Sequence, residues 1–224
     1  MVLTDPPYST AKKRCTGNDW DRPIDVSRLM QELFRVTKDN GCIAVFGTEP
    51  FVIDVINAGR KRFRYTLIYQ KPQGSDFFNN LRKPLRDFEQ IAVFYKRQPV
   101  YNPQMTSGHR AYSGGGQVGM STLGSKKHND SGLRYPKSVL KFTPERGLHS
   151  CHKPVALCEW LVNTYSNQGD LILDTFFGSG TTAVACQNTS RRFIGFEMRP
   201  DFVEVARKRL AGGDSSQDTL SRER

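Results

Sequence analysis

No apolar run in this 224-residue chain approaches the ~20 residues of a membrane-spanning helix, and no signal-like apolar region follows Met1. A membrane partner is therefore not expected, and the cytoplasm is the expected location. Cysteine is scarce: Cys15, Cys42, Cys151, Cys158 and Cys186 are odd in number and irregular in spacing. That suits reduced thiols better than a disulfide framework. Only four histidines occur, and the local set His149, Cys151, His152 and Cys158 lacks a CxxC or HxxxH pair, so no metal is expected. No G-x-x-x-x-G-K-[ST] is present, which argues against a nucleoside triphosphate. Acid is in short supply too, at 22 Asp and Glu against 33 Lys and Arg, for a net charge of +11.

That charge is localised. Residues 96–147 hold nine Lys/Arg and two acids, a surplus of seven, which leaves four for the rest of the chain. A basic surface of this kind suits a polyanion, and nucleic acid is the first candidate.

Hydrophobic residues at 37% are enough for one packed domain. Residues 2–4 read as a strand stub leading into Asp5-Pro6-Pro7-Tyr8. Residues 24–37 carry apolar side chains at helical spacing, closed by Asn40-Gly41 as a C-cap. CIAVFG (42–47) is a buried-type strand, FVIDVINAG a helix, and TLIYQK (66–71) and QIAVFYK (90–96) are two more strands. Periodicity stops over residues 97–147, where eight glycines and several prolines are scattered among basic and aromatic residues. A loop that long is read as an insertion with a function of its own. Order returns with the helix PVALCEWLVNTY, the strand LILD (171–174), the helix TTAVACQNT, the strand FIGFE (193–197) and the helix at 201–210; residues 211–224 read as a frayed tail. This alternation predicts a layered α/β domain. Its parts are a first half (1–96), the insertion (97–147) and a second half (148–210).

The densest motif is LILDTFFGSGTTA. A strand ends in Asp174, Gly178 and Gly180 form the turn, a helix starts at Thr181, and the next strand ends in Glu197. Glycines let a ligand approach the backbone closely, and an acid after the second strand can accept hydrogen bonds from ribose. A dinucleotide fits the relaxed G-x-G-x-x-[GA] form, while the bulky Thr175-Phe176-Phe177 suits a thioether nucleoside better than a pyrophosphate. The tetrapeptide at 5–8 favours the latter. An aromatic exocyclic amine is a poor nucleophile, because its lone pair is delocalised into the ring. A carboxylate (Asp5) and a backbone carbonyl (Pro6) accepting its two N–H bonds would free that lone pair. Pro7 fixes the carbonyl's direction, and Tyr8 offers a ring on which an extruded base can stack.

With both motifs in view, the chain resembles the S-adenosylmethionine-dependent DNA amino-methyltransferases, in the permuted order with the catalytic tetrapeptide ahead of the glycine loop. The likeness runs from Leu3 to Leu210 and includes YNPQM (101–105), RYPKSVLKF (134–142) and LHSCHKPVAL (148–157). It is strongest to the adenine-N6 enzymes of phages and prophages, found in bacterial hosts. The resemblance implies a Rossmann-like class I methyltransferase fold, with a mostly parallel mixed sheet flanked by helices. It implies S-adenosylmethionine as cofactor and double-stranded DNA as partner, with methyl transfer to N6 of a flipped-out adenine. A homodimer and a restriction endonuclease partner both stay open. It places Asp5, Pro6, Pro7 and Tyr8 at the target amine. Asp174, Thr175, Phe176, Phe177, Gly178, Ser179, Gly180, Thr181 and Glu197 are implied around the cofactor, with Lys153 at its methionine end. Arg82, Lys83, Arg86, Arg110, Lys126, Lys127, Arg134 and Lys137 are then the candidate DNA contacts, and residues 97–147 the target-recognition region.

Several features depart from the family pattern. Ser150, Cys151 and His152 stand where relatives carry Pro, Thr and Gln, and Phe88 stands in place of a His in the R-x-H-E pattern. Four residues precede the tetrapeptide where some twenty are usual, from which weaker cofactor binding is expected. Cytosine-N4 methylation is the alternative within the class. Outside it stand a DNA-binding remnant without activity and a protein-amide methyltransferase.

Overall fold

The computed structural model of the chain describes residues 1–8, 23–75, 77–108, 132–145 and 152–212. They form a unit made of residues 1–102 with 138 onward, and a smaller unit, residues 103–137.

The larger unit is a seven-stranded sheet with helices. Its strands are β1 (Val2–Thr4), β2 (Ile43–Gly47), β3 (Phe63–Ser75), β4 (Arg86–Phe94), β5 (Val139–Lys141), β6 (Leu171–Asp174) and β7 (Arg192–Gly195). The helices are α1 (Val26–Val36), α2 (Phe51–Ala58), α3 (Val155–Tyr165), α4 (Thr181–Asn188) and α5 (Pro200–Leu210). Spatial order is β5-β3-β4-β2-β1-β6-β7. The pairings β1–β2, β1–β6, β6–β7 and β3–β5 are parallel, whereas β4 is antiparallel to both neighbours. Six strands thus point one way, and only β4 runs against them. This is the layered α/β domain that the alternation predicts, with the mostly parallel mixed sheet that the family resemblance implies.

Buriedness explains the central strands. All five residues of β2 are buried, as are all three of β1, so both strands are covered on each face. One core lies under α3, with Leu157, Leu161 and Val162 packed near Leu3, Ala44, Phe46 and Ile172. The other lies under α1 and α2, with Met30, Leu33, Val52 and Val55 against Val2, Ile43, Val45 and Phe94.

Several boundaries differ from the sequence reading. β3 and β4 are longer than 66–71 and 90–96 suggest, and β7 ends at Gly195, so Glu197 lies just past the strand and not at its last residue. Two further differences have a local cause. The first helix ends at Val36, before Asn40-Gly41, because the Thr37 hydroxyl takes the Leu33 carbonyl at 2.6 Å and Thr37 turns extended. Asn40 and Gly41 instead close a turn, in which the Gly41 N–H donates to the Lys38 carbonyl. The stretch 97–147 is also not wholly an insertion. Its residues Val139–Lys141 return to the sheet as β5, with Ile68 opposite Val139 and Leu140 buried. At its other end, Asn102 is held by the carbonyls of Asn163 and Ser166 at the end of α3. A three-residue strand between Pro136 and Pro144 is too short to announce itself by alternation. The separate unit is narrowed to 103–137, where Thr106 and Arg134 form an antiparallel bridge.

Candidate functional site

β1 and β6 lie side by side and parallel, with Val2 opposite Leu173. Their carboxyl ends therefore emerge together, which is where loops in an open α/β sheet converge on a ligand. The tetrapeptide Asp5–Tyr8 leaves β1, and the glycine turn leaves β6. The hydroxyls of Thr4 and Thr175 meet at 3.0 Å and tie the two ends across 171 positions of sequence.

The glycine turn is held from beneath. Asp174 is 4% exposed, and its carboxylate accepts the Thr182 hydroxyl at 2.6 Å and the Phe176 N–H at 3.1 Å. Gly178 has φ +52°, with no atom within 4 Å of where a Cβ would stand, so the backbone is bare on that side. Gly180 has φ +79°, and a Cβ there would come within 2.8 Å of the Ala206 Cβ. Glu197 spans the turn: one oxygen accepts the Gly178 N–H at 2.8 Å and the other the Arg199 N–H at 2.8 Å. Phe177 stacks on Phe193 at 5.9 Å between centroids. Arg209, from α5, donates to the Ser179 carbonyl and to the hydroxyls of Ser179 and Thr181.

The tetrapeptide forms part of a buried charge cluster. Lys153, 8% exposed, bridges Asp5 and Glu89, with the Glu89 oxygen at 3.2 Å and Asp5 in direct contact. Lys71 closes on the other Glu89 oxygen at 2.5 Å. The Tyr8 hydroxyl donates to Asp5 at 2.5 Å and lies 3.5 Å from Glu89, while its ring stacks on Phe51 at 5.4 Å. Two carboxylates and two ammoniums thus balance in a poorly hydrated place. Burial raises the Asp5 carboxyl above its ordinary value, with the Lys153 charge opposing the rise and the Glu89 charge adding to it. For Glu89, burial pushes upward, but Lys153 and Lys71 outweigh it and hold the group at about 2. Burial would lower Lys153, and the two carboxylates more than reverse that, so it stays charged. Burial and the neighbouring carboxylates push the Tyr8 phenol well up. Each carboxylate oxygen can accept more than one hydrogen bond, so Asp5 keeps acceptor capacity beyond Tyr8 and Lys153.

The structure therefore brings Asp5, Pro6, Pro7 and Tyr8 to the same sheet end as Asp174 to Thr181 and Glu197. Asp174 is an internal brace of the turn. Lys153, which the resemblance puts at a cofactor's methionine end, is bonded here to Asp5 and Glu89. Arg82 and Lys83 sit on the β3–β4 connection and Arg86 opens β4; Arg134 and Lys137 belong to the smaller unit. Arg110, Lys126 and Lys127 lie outside the described residues, as do Ser150, Cys151 and the tail from 213. Among the described residues, no group of three or more His, Cys, Asp or Glu side chains could hold a metal ion, and no helix is long and apolar enough to cross a membrane.

Glu89, Lys71, Arg209 and the Thr4–Thr175 contact escaped the sequence reading. Glu89 had a signal: in β4 it shares the inward parity of Ile91 and Val93, which puts an acid on a core-facing position. A buried acid with two lysine partners is a mark of a working site.

Asp174 supports a prediction about stability. Burial raises its carboxyl to about 6, opposed by the Thr182 and Phe176 hydrogen bonds. A folded pKa above the unfolded one means that this group's contribution is complete below about pH 4 and is lost as pH rises to about 6. Asp174→Asn removes that loss. Relative to the parent chain, its urea-unfolding free energy should rise by on the order of 2–3 kcal/mol between pH 4 and pH 7.5. A difference that does not change with pH would contradict the assignment.

A family model described as DNA methylase, of the N6/N4 type, matches residues 1–208. The type II methyltransferase M.HpaI of Haemophilus parainfluenzae is 24% identical over 240 residues, covering 99% of this chain and 72% of that protein. Among solved structures, the M1.HpyAVI complex with SAM superposes with a TM-score of 0.62 at 25% identity, covering 93% of this chain and 88% of the other. The cytosine-N4-specific PvuII DNA methyltransferase superposes with the same TM-score at 17% identity, covering 93% and 78%. At that identity the likeness is one of fold, and the fold is that of class I methyltransferases.

Proposed function

The chain belongs to the N6/N4 DNA methylase family, and from that premise we propose that it methylates N6 of adenine in double-stranded DNA at a specific site. The observation that carries this reading is the meeting of Asp5-Pro6-Pro7-Tyr8 with the glycine turn at adjacent strand ends, tied by Thr4 and Thr175. Motif order along the chain is read as permuted, since the tetrapeptide strand precedes the glycine-turn strand by about 170 residues yet pairs with it.

S-adenosylmethionine is the cofactor of this family, and the residues present fit it. The bare backbone at Gly178 leaves room for close approach, and the Glu197 carboxylate beside it can accept ribose hydroxyls. No lysine follows the glycines to neutralise phosphates. When bound, the cofactor supplies an electrophilic methyl group on a sulfonium. The chain's own part is to make the amine a nucleophile. Asp5 and the Pro6 carbonyl accept the two N6 hydrogens, which draws the nitrogen towards tetrahedral geometry and returns its lone pair. Because burial raises the Asp5 carboxyl, that group is also a better acceptor for the amine proton than an exposed aspartate. Tyr8, held by Phe51 and by its bond to Asp5, orders the wall of the base pocket.

Cytosine N4 is the competing amine. Aspartate at the first tetrapeptide position favours adenine, since the N4 enzymes more often carry serine there. Expression in methylation-free cells, followed by long-read mapping of modified bases, should give N6-methyladenine at one recurring sequence. N4-methylcytosine at such a sequence would overturn the choice of base, and an unmodified genome the activity.

A further inference from the structure

The connection between β3 and β4 is an arm. Thr4 lies level with Val45 and Val45 with Ala92, so Asp5 stands near the level of Ile91 and Leu67. β3 runs on from there to Ser75, which pairs with Arg86, five residues beyond Ile91 on β4. The register slips between Gln70 and Ser75, so the paired arm reaches roughly 17 Å at full strand rise. Because β3 is parallel to β1, the arm projects from the catalytic end of the sheet.

The arm is built, not slack. Ser75 pairs with Arg86 and donates its hydroxyl to the Arg86 carbonyl at 2.8 Å. A Cβ on Gly74 would come within 2.6 Å of Leu85, so the two sides of the arm touch. At the tip, a single 3-10 turn (Phe77–Asn79) is followed by bonds from the Arg82 and Lys83 N–H groups to the Asn79 carbonyl. This ordered tip presents Phe77, Phe78 and Leu81 at 68%, 100% and 97% exposure. Large apolar side chains held this far out of a core call for a partner. Arg82, Lys83 and Arg86 stand directly beside them, so the partner is a polyanion with apolar faces inside it: stacked duplex DNA.

We propose that this arm is the element that opens the duplex. Phe78 and Leu81 enter the base stack next to the target and hold the space that the flipped base leaves, while Arg82 and Arg86 bind the flanking phosphates. Apolar wedges between base steps and extrusion of a target base are both established ways of deforming DNA. The inference rests on the DNA methyltransferase reading and adds the residues that pull the substrate apart.

The test uses the Phe78→Ala/Leu81→Ala double variant on two duplexes carrying the mapped site, one fully paired and one with an abasic position opposite the target. On the paired duplex, kcat/KM should fall about 10- to 100-fold, the scale of a few kcal/mol of unstacking. On the abasic duplex, where the target is already loose, it should return to within about 3-fold of the parent. Arg82→Ala/Arg86→Ala should weaken both duplexes alike and flatten the salt dependence of binding. Equal loss on both duplexes in the apolar variant, or no loss, would overturn the proposal. So would a change in sedimentation with unchanged methylation, because the patch would then belong to a second copy of the chain. A parent chain inactive on both duplexes would overturn the methyltransferase reading and this inference with it.

Discussion

Asp5→Ala should lower single-turnover methyl transfer to duplex DNA by on the order of 10³-fold while leaving the fold in place. The acceptor it removes acts on the amine as that amine becomes a nucleophile, so the loss should fall on the chemical step and not on binding. Structure around the site should survive, because Lys153 keeps Glu89 as a partner at 3.2 Å and Lys71 keeps it at 2.5 Å. Calorimetric titration should therefore find S-adenosylmethionine affinity within about 3-fold of the parent, by the rule that a loss confined to the reacting state spares ground-state binding. Asp5→Asn separates charge from hydrogen bonding: the amide oxygen still accepts an amine hydrogen, but the negative charge is gone. It should recover part of the rate but not most of it. Retention of more than a tenth of the parent rate in Asp5→Ala would remove Asp5 from the reaction.

How far the site was legible before the structure depended on sequence distance. β1 and β6 fell on the expected residues, because each is a short apolar run ended by a turn signal: Asp5-Pro6-Pro7 after one, and Asp174 with the glycines after the other. The glycine turn was readable because Gly178 and Gly180 adopt positive φ, a backbone state with its own residue preference. The antiparallel insertion of β4 between β2 and β3 was not readable, since strand order is a property of pairing and not of any single strand. It is this insertion that puts Glu89 beside Lys153 and Asp5, residues separated by tens of positions on either side. β5 was missed for a different reason: three residues cannot show alternation. The recognition role assigned to residues 97–147 rests on the basic residues that fall outside the described chain and on Arg134 and Lys137 of the smaller unit.

Lys153→Met gives the second large effect, and its size follows from what the substitution leaves behind. Lys153 is the only cation in contact with both Asp5 and Glu89 among the described residues, and it is 8% exposed. Methionine keeps most of the stem's volume, so the change is chiefly one of charge. Asp5 and Glu89 would then face each other with Lys71 as the remaining counter-ion on Glu89. Breaking a buried pair by removing one partner costs about 3–5 kcal/mol. The alternative open to the protein is to protonate Asp5, which also removes the negative charge needed for catalysis, so activity and stability should fall together. Glu89→Gln in the same background relieves the repulsion. The double variant should recover roughly half of the lost unfolding free energy, a coupling of the size seen between residues in one ionic network. It should not recover methyl transfer, because Asp5 would still lie buried without a cation. Urea unfolding of the four chains closes the cycle. A coupling near zero would mean that Lys153 and Glu89 contribute separately, through packing, and that the charge cluster is not what holds Asp5 ready.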